Sequence, residues 1–355
     1  MRVQNAARTR AAYGSNVILV TATLAAGYHG PPELTPLRAL TEWTLDPWAL
    51  GLVLLLGGLY LAGARRARRS GERWPAGRVV AFCGLGLGFA VLATMSFVGV
   101  YQPVLFYIRS VQTILLLLVV PLFLALGRPL SLAIAALPRL SPRLQAGIRS
   151  RAAVILTFPA ISTMVLILVP FVLYFSPWYA AGFSSTLVRD LTYLALLVPG
   201  FVFFWTLLRV DPVPRAYPYL VALWITGAEV VGDAVLGLAV IADQNLIAGA
   251  YYHALARPWG PGLASDQVIG GGALWVLGDL VGLPFLAAQL IQMIREDENE
   301  ATAIDAELDA AAAAGAGDAA GTMAGTSVAA ADKRPWWESD PRFASRFQPV
   351  DDDRE

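Results

Sequence analysis

Seven long apolar runs dominate the first 294 residues: Pro47–Ala64, Val79–Val98, Val104–Leu126, Ala153–Phe175, Leu191–Leu208, Tyr219–Ile241 and Gly270–Ile294. Each approaches the length of about 17–25 residues that a helix needs to cross a hydrocarbon core of roughly 30 Å. Backbone amides cannot stay unpaired in lipid, so such a run is helical whatever its content of Val, Ile or Phe. The pattern therefore predicts an all-α, polytopic integral membrane protein with seven transmembrane helices. A shorter apolar stretch, Asn16–Tyr28, follows Arg2, Arg8 and Arg10. It reads either as a short additional N-terminal helix or as a signal segment.

The connections alternate in charge. Arg65, Arg66, Arg68, Arg69, Arg73 and Arg78 fill the first; Arg128, Arg139, Arg143, Arg149 and Arg151 the third; Arg209 and Arg215 the fifth. The second holds no basic residue, the fourth only Arg189 and the sixth only Arg257. The positive-inside rule predicts that the odd connections and the C-terminus lie in the cytoplasm of a bacterial-type inner membrane.

Three regions follow: an N-terminal segment, 1–46; a membrane domain, 47–294; and an acidic tail, 295–355. The formal net charge of zero conceals a split, because residues 296–355 carry 15 acidic and 5 basic side chains. The positive charge of the rest is what membrane topology requires, so nothing in it calls for nucleic acid. The Ala/Gly-rich stretch 310–331 has no apolar face, and the tail is expected to be disordered. It ends in Trp336, Trp337, Phe343 and Phe347, a docking motif or a surface anchor.

Catalytic signatures are lacking: the sequence holds no P-loop, no His-Glu-x-x-His and no nucleophile elbow. The chain reads as a non-enzyme. Cys83 is the one cysteine, which excludes an internal disulfide. The only histidines are His29 and His253, both placed on the outer face; with Met95 they form the one combination that offers soft or imidazole donors on that side.

The intramembrane charges are more informative, because each is expensive at membrane depth and asks for a partner or a function. Arg109, Glu229, Asp233 and Asp279 lie inside runs, and Asp190 at the mouth of one. Glu229 and Asp233, at i and i+4, share a helix face. Judged by depth alone, Arg109 meets Asp233 and also Asp279, either as a structural ion pair or as part of a polar cavity for protons or a cation. Glu229 lies too deep for Arg109 and is expected in its neutral form, since desolvation disfavours the charge.

Several stretches resemble the CtaG family of cytochrome c oxidase assembly factors. Leu45, Asp46 and Pro47 ahead of the first helix, Trp74 through Arg78, and Pro121 through Leu130 look like that family's first three helices. Ser265, Asp266, Gln267, Gly271, Gly272 and Trp275, followed by Gly278 and Asp279, look like its last-helix signature. The resemblance covers roughly residues 44–294 and implies seven helices, terminal oxidase subunits as partners, and a link to copper delivery. The chain departs from the pattern where copper is concerned. A His-x-x-x-His pair typical of the third helix falls on Arg109 and Thr113, a His-Pro falls on Phe158 and Pro159, and later histidines have no counterpart. Copper is therefore not favoured as a cofactor. The first reading is assistance to oxidase assembly or stability by protein contact within the lipid bilayer. A proton or cation pathway through the carboxylates and a copper chaperone using His29, His253 and Met95 are the alternatives.

Overall fold

A computed structural model describes residues 27–215 and 217–322. The N-terminal apolar stretch falls largely, and the aromatic end of the tail wholly, outside the described residues.

Among the described residues all regular structure is helical, and the predicted runs are recovered as α2, Pro47–Arg69; α3, Ala76–Tyr101; α4, Phe106–Ala136; α7, Pro159–Tyr174; α9, Thr186–Leu208; α10, Tyr219–Ala242; and α12, Leu263–Thr322. Short helices join them: α1, Pro36–Thr41; α5, Ser141–Ile148; α6, Arg151–Leu156; α8, Trp178–Ser184; and α11, Gly249–Leu255. Among the described residues six helices are long and apolar enough to cross a membrane; α7 and α8, bent by 66° at the break between them, make a seventh if they form one span. Sixteen residues of α7 rise only about 24 Å, and the predicted run Ala153–Phe175 is divided between α6 and α7 at Thr157 and Phe158, ahead of Pro159, where the apolar pattern read it as continuous. The bend between α7 and α8 falls just past that run, at Phe175, Ser176 and Pro177, and the proline cannot donate to the preceding turn. The chain is an all-α polytopic membrane protein.

Local chemistry sets the helix boundaries. Asp46 caps α2, its carboxylate accepting from the Ala49 amide at 3.1 Å, with Pro47 at the first helical position. Arg66, Arg68 and Arg69 close the same helix, where cations favour the C-terminal dipole. Two spans are not plain α-helices: Val80–Gly86 and Leu115–Val119 are π-helical. Arg128, in the left-handed region at φ 54°, separates the Pro129–Ala136 segment of α4 from the helical turns before it. A loop carboxylate satisfies the segment's first amides, Asp211 accepting from Leu130 at 3.0 Å and Ser131 at 2.9 Å.

α4 runs through the centre, with Leu116, Leu117 and Leu118 almost wholly buried. α9 approaches it so closely at Gly200 that a Cβ there would overlap the Leu117 carbonyl and meet Pro121 at 2.8 Å. Such contacts between small residues and backbone are how membrane helices gain packing without a hydrophobic force between them.

α12 runs on past Met293 into a second unit, Ile294–Glu355. Residues 295–322, expected within a disordered tail, are helical here. Alanine has the highest helix propensity, and extending an existing helix avoids the nucleation step. The low-complexity composition signals a segment without a core, which is a different property from a segment without helix. Its side chains through Ala310 are exposed.

Candidate functional site

The last-helix signature turns out to be a fastening. Asp266, in the first turn of α12, reaches across to the start of α4 and accepts from the amides of Phe106 at 3.1 Å and Tyr107 at 3.0 Å. The same carboxylate pairs with Arg257 at 3.1 Å, and both side chains are almost fully buried. Arg257 also donates to the Pro261 carbonyl at 2.8 Å and lies over the Trp259 ring. Gln267 then ties α12 to the far end of α10. Its carbonyl oxygen accepts from the Ile247 amide at 2.8 Å, and its amide nitrogen faces the carbonyls of Val240, Asp243 and Asn245 at 3.1–3.2 Å. Two adjacent polar residues thus hold three spans at one end of the bundle.

Beyond them α10 and α12 run antiparallel in very close contact. A Cβ on Gly237 would stand 2.6 Å from the Gly271 carbonyl, and one on Gly271 would stand 2.7 Å from that of Gly237. Trp275 packs its Cβ against this crossing while its ring stays partly exposed. Further along the seam the missing Cβ atoms of Gly278 and Gly282 leave room for carboxylates: Asp233 lies against Gly278 and Glu229 against Gly282. Asp279 is within electrostatic reach of both. Asp233 Oδ2, Glu229 Oε1 and Asp279 Oδ1 are buried and accept no hydrogen bond.

Arg109 is not their partner. Among the described residues its guanidinium has no carboxylate within ion-pair distance; the pairs are Arg189 with Asp46 at 3.0 Å, Arg189 with Asp190 at 3.1 Å, and Arg257 with Asp266. Nη1 of Arg109 instead donates to Gln102 Oε1 at 2.8 Å and Gln112 Oε1 at 2.9 Å. The cation lies near the faces of Tyr179 and Phe183, 5.8 and 5.7 Å from the ring centroids. The pairing expected from depth fails because depth does not fix azimuth. α4 turns Arg109 towards Gly182 and α8, while Asp233 faces α12.

The surroundings of Arg109 are aromatic and hydroxylic. Thr113 accepts or donates a hydrogen bond with Tyr174 at 3.1 Å, and Tyr179 does so with Tyr252 at 2.9 Å. Burial pushes the Tyr252 phenol above the usual range, which keeps it neutral at any physiological pH. A cavity of about 300 Å³ lies beside this region, lined by Asp46, Thr94, Gln102, Arg189 and Tyr193 among others.

The residues do not fit copper. A guanidinium has no lone pair to donate, and Arg109 is engaged with two glutamines where an imidazole would be needed. Met95 is buried in α3, whereas His29 and His253 are exposed. Among the described residues no group of three or more His, Cys, Asp or Glu side chains is placed to hold a metal ion. Reading the sequence missed Gln102, Gln112 and Asp211. The glutamines give no signal in a single sequence, while Asp211 before Pro212, in a loop between two spans, is the pattern of a capping carboxylate.

Comparison with known proteins places this arrangement. The chain is 29% identical over 294 residues to an uncharacterized protein of Mycobacterium tuberculosis and to one of Mycobacterium bovis, and 29% identical over 297 residues to one of Mycobacterium leprae. Each match covers 80% of this chain and 44% of the relative, so the chain spans less than half the length of the curated relatives it matches. No solved structure matches it. The model of the cytochrome c oxidase caa3 assembly factor family matches residues 58–296, which reaches from the middle of α2 past the Asp266 fastening and the α10–α12 seam. With more than half of its length matched, the chain belongs to the cytochrome c oxidase caa3 assembly factor family.

Proposed function

We propose that this protein assists the assembly or stability of a terminal cytochrome c oxidase as a non-catalytic membrane partner of oxidase subunits, acting by protein contact and not by carrying copper. The observation behind this reading is the knot formed by Arg109, Gln102 and Gln112, which puts a fixed cation where a metal carrier of this pattern needs imidazole. Affinity isolation of the tagged chain from its native membrane, with mass spectrometry and metal analysis of the same sample, tests it. The expected result is recovery of oxidase subunits and substoichiometric copper. One tightly held copper per chain, kept in a His29→Ala/His253→Ala variant, would sink the proposal.

A second reading, a proton route, is supported by the three carboxyl groups whose buried oxygens have no partner along the α10–α12 seam. Glu229→Gln is nearly isosteric and removes the titrating group alone. Under the contact reading it leaves both the fold and the level of assembled oxidase unchanged. Loss of assembled oxidase with an unaltered melting curve would replace the contact reading by the proton route.

A further inference from the structure

A trough separates α2 from the short Pro129–Ala136 segment of α4. It encloses about 420 Å³, with Leu56, Leu59 and Gly63 on one wall and Leu132 and Ala136 on the other. The trough lies where the Pro129–Ala136 segment, the last eight residues of α4 beyond the left-handed Arg128, packs along α2. Gly63 faces Leu132, which a Cβ would meet at 3.3 Å, so the wall is low where a larger side chain would fill it. Tyr60 closes the floor, stacked on Phe82 with ring centroids 4.1 Å apart. Its hydroxyl is spent on the Gly127 carbonyl, to which it donates at 2.6 Å. The trough therefore offers no polar side chain to an occupant, with one exception.

That exception is Arg66, the charged residue in the lining. It is exposed, and among the described residues no carboxylate pairs with it. Arg65 and Arg69 share its end of α2, and Arg68 donates to the Trp74 carbonyl; Glu72, past the helix end, is the nearby acidic residue in sequence. An apolar trough with an arginine at its mouth has the polarity of an anionic phospholipid, and basic pockets between membrane helices recognise such headgroups. The long arginine stem lets the charge reach the interface while its methylenes line apolar surface.

We propose that this trough binds one anionic phospholipid, an acyl chain lying between α2 and the Pro129–Ala136 segment and the phosphate against Arg66. The full chain, purified in detergent, would be titrated with phosphatidylglycerol, with phosphatidylcholine and with inorganic phosphate, and adducts counted by native mass spectrometry. Phosphatidylglycerol should bind about fivefold more tightly than phosphatidylcholine, the preference that one basic contact near the membrane surface supplies. Arg66→Gln, at an exposed position that leaves the fold intact, should abolish that preference. Gly63→Leu should weaken binding of both lipids by filling the trough. Equal affinity for the two lipids, an unchanged preference in Arg66→Gln, or displacement of the lipid by inorganic phosphate would each overturn the proposal.

Discussion

Asp266→Ala should destabilise the folded bundle by about 3–5 kcal/mol, the range for breaking a buried pair by removing one partner. The carboxylate does three things at once. It neutralises Arg257, which is itself buried, and it accepts from the first two amides of α4. Without it the guanidinium is stranded and two amides at a helix start lose their partner, where no intrahelical acceptor exists for them. Asp266→Asn should fall between Asp266→Ala and the unaltered chain, because an amide oxygen still accepts from one N–H but no longer balances Arg257. Adding Arg257→Met to Asp266→Ala should recover part of the loss, since the stranded charge is then gone. Unfolding in detergent, followed by a probe of helix content, gives the comparison. A double variant no more stable than Asp266→Ala would show that the amide contacts, and not the ion pair, carry the effect.

Asp266 also marks where reading the sequence stopped. The position stood out within the last-helix signature, yet the amides it holds lie about 160 residues earlier in the chain. No local pattern encodes that contact. The seven runs were legible because lipid leaves the backbone a single solution, and their length alone decides it. In the apolar pattern the fourth run ends at Phe175, just before the bend between α7 and α8; what that pattern hid is the division of the run at Thr157 and Phe158, where Leu156 and Phe158 keep the hydropathy high up to Pro159. Residues 296–300 read as a continuation of the last helix, but helix from there to 322 was hidden for a different reason: low complexity masked strong alanine propensity. Asp279, within electrostatic reach of Glu229 and Asp233, comes from another helix, while spacing put those two carboxylates on one helix face. The glycines that accommodate them, Gly278 and Gly282, sit one helix away, and that adjacency is set by packing.

The same limit makes Arg109 the sharpest test of the structure. Arg109→Ala should cost about 2–5 kcal/mol, the range for truncating a large buried side chain. It removes two hydrogen bonds donated by a charged group to Gln102 and Gln112, empties space beneath Tyr179 and Phe183, and leaves both glutamine oxygens without their donor. Arg109→Lys should not rescue it, because an ammonium lacks the planar fork that holds two acceptors at fixed separation. Asp233→Leu, on α10, removes a carboxylate whose oxygen has no partner and should therefore be mild or stabilising. Depth alone predicts that the two groups form a pair, in which case the double variant Arg109→Ala/Asp233→Leu would regain much of what either single change loses. The structure predicts independence, with the effects adding to within about 0.5 kcal/mol as they do for sites that share no partner. A coupling energy above about 1 kcal/mol in that cycle, measured by unfolding in detergent, would mean that Arg109 and Asp233 are neighbours in the folded protein and that α4 turns Arg109 towards α10 instead of towards α8.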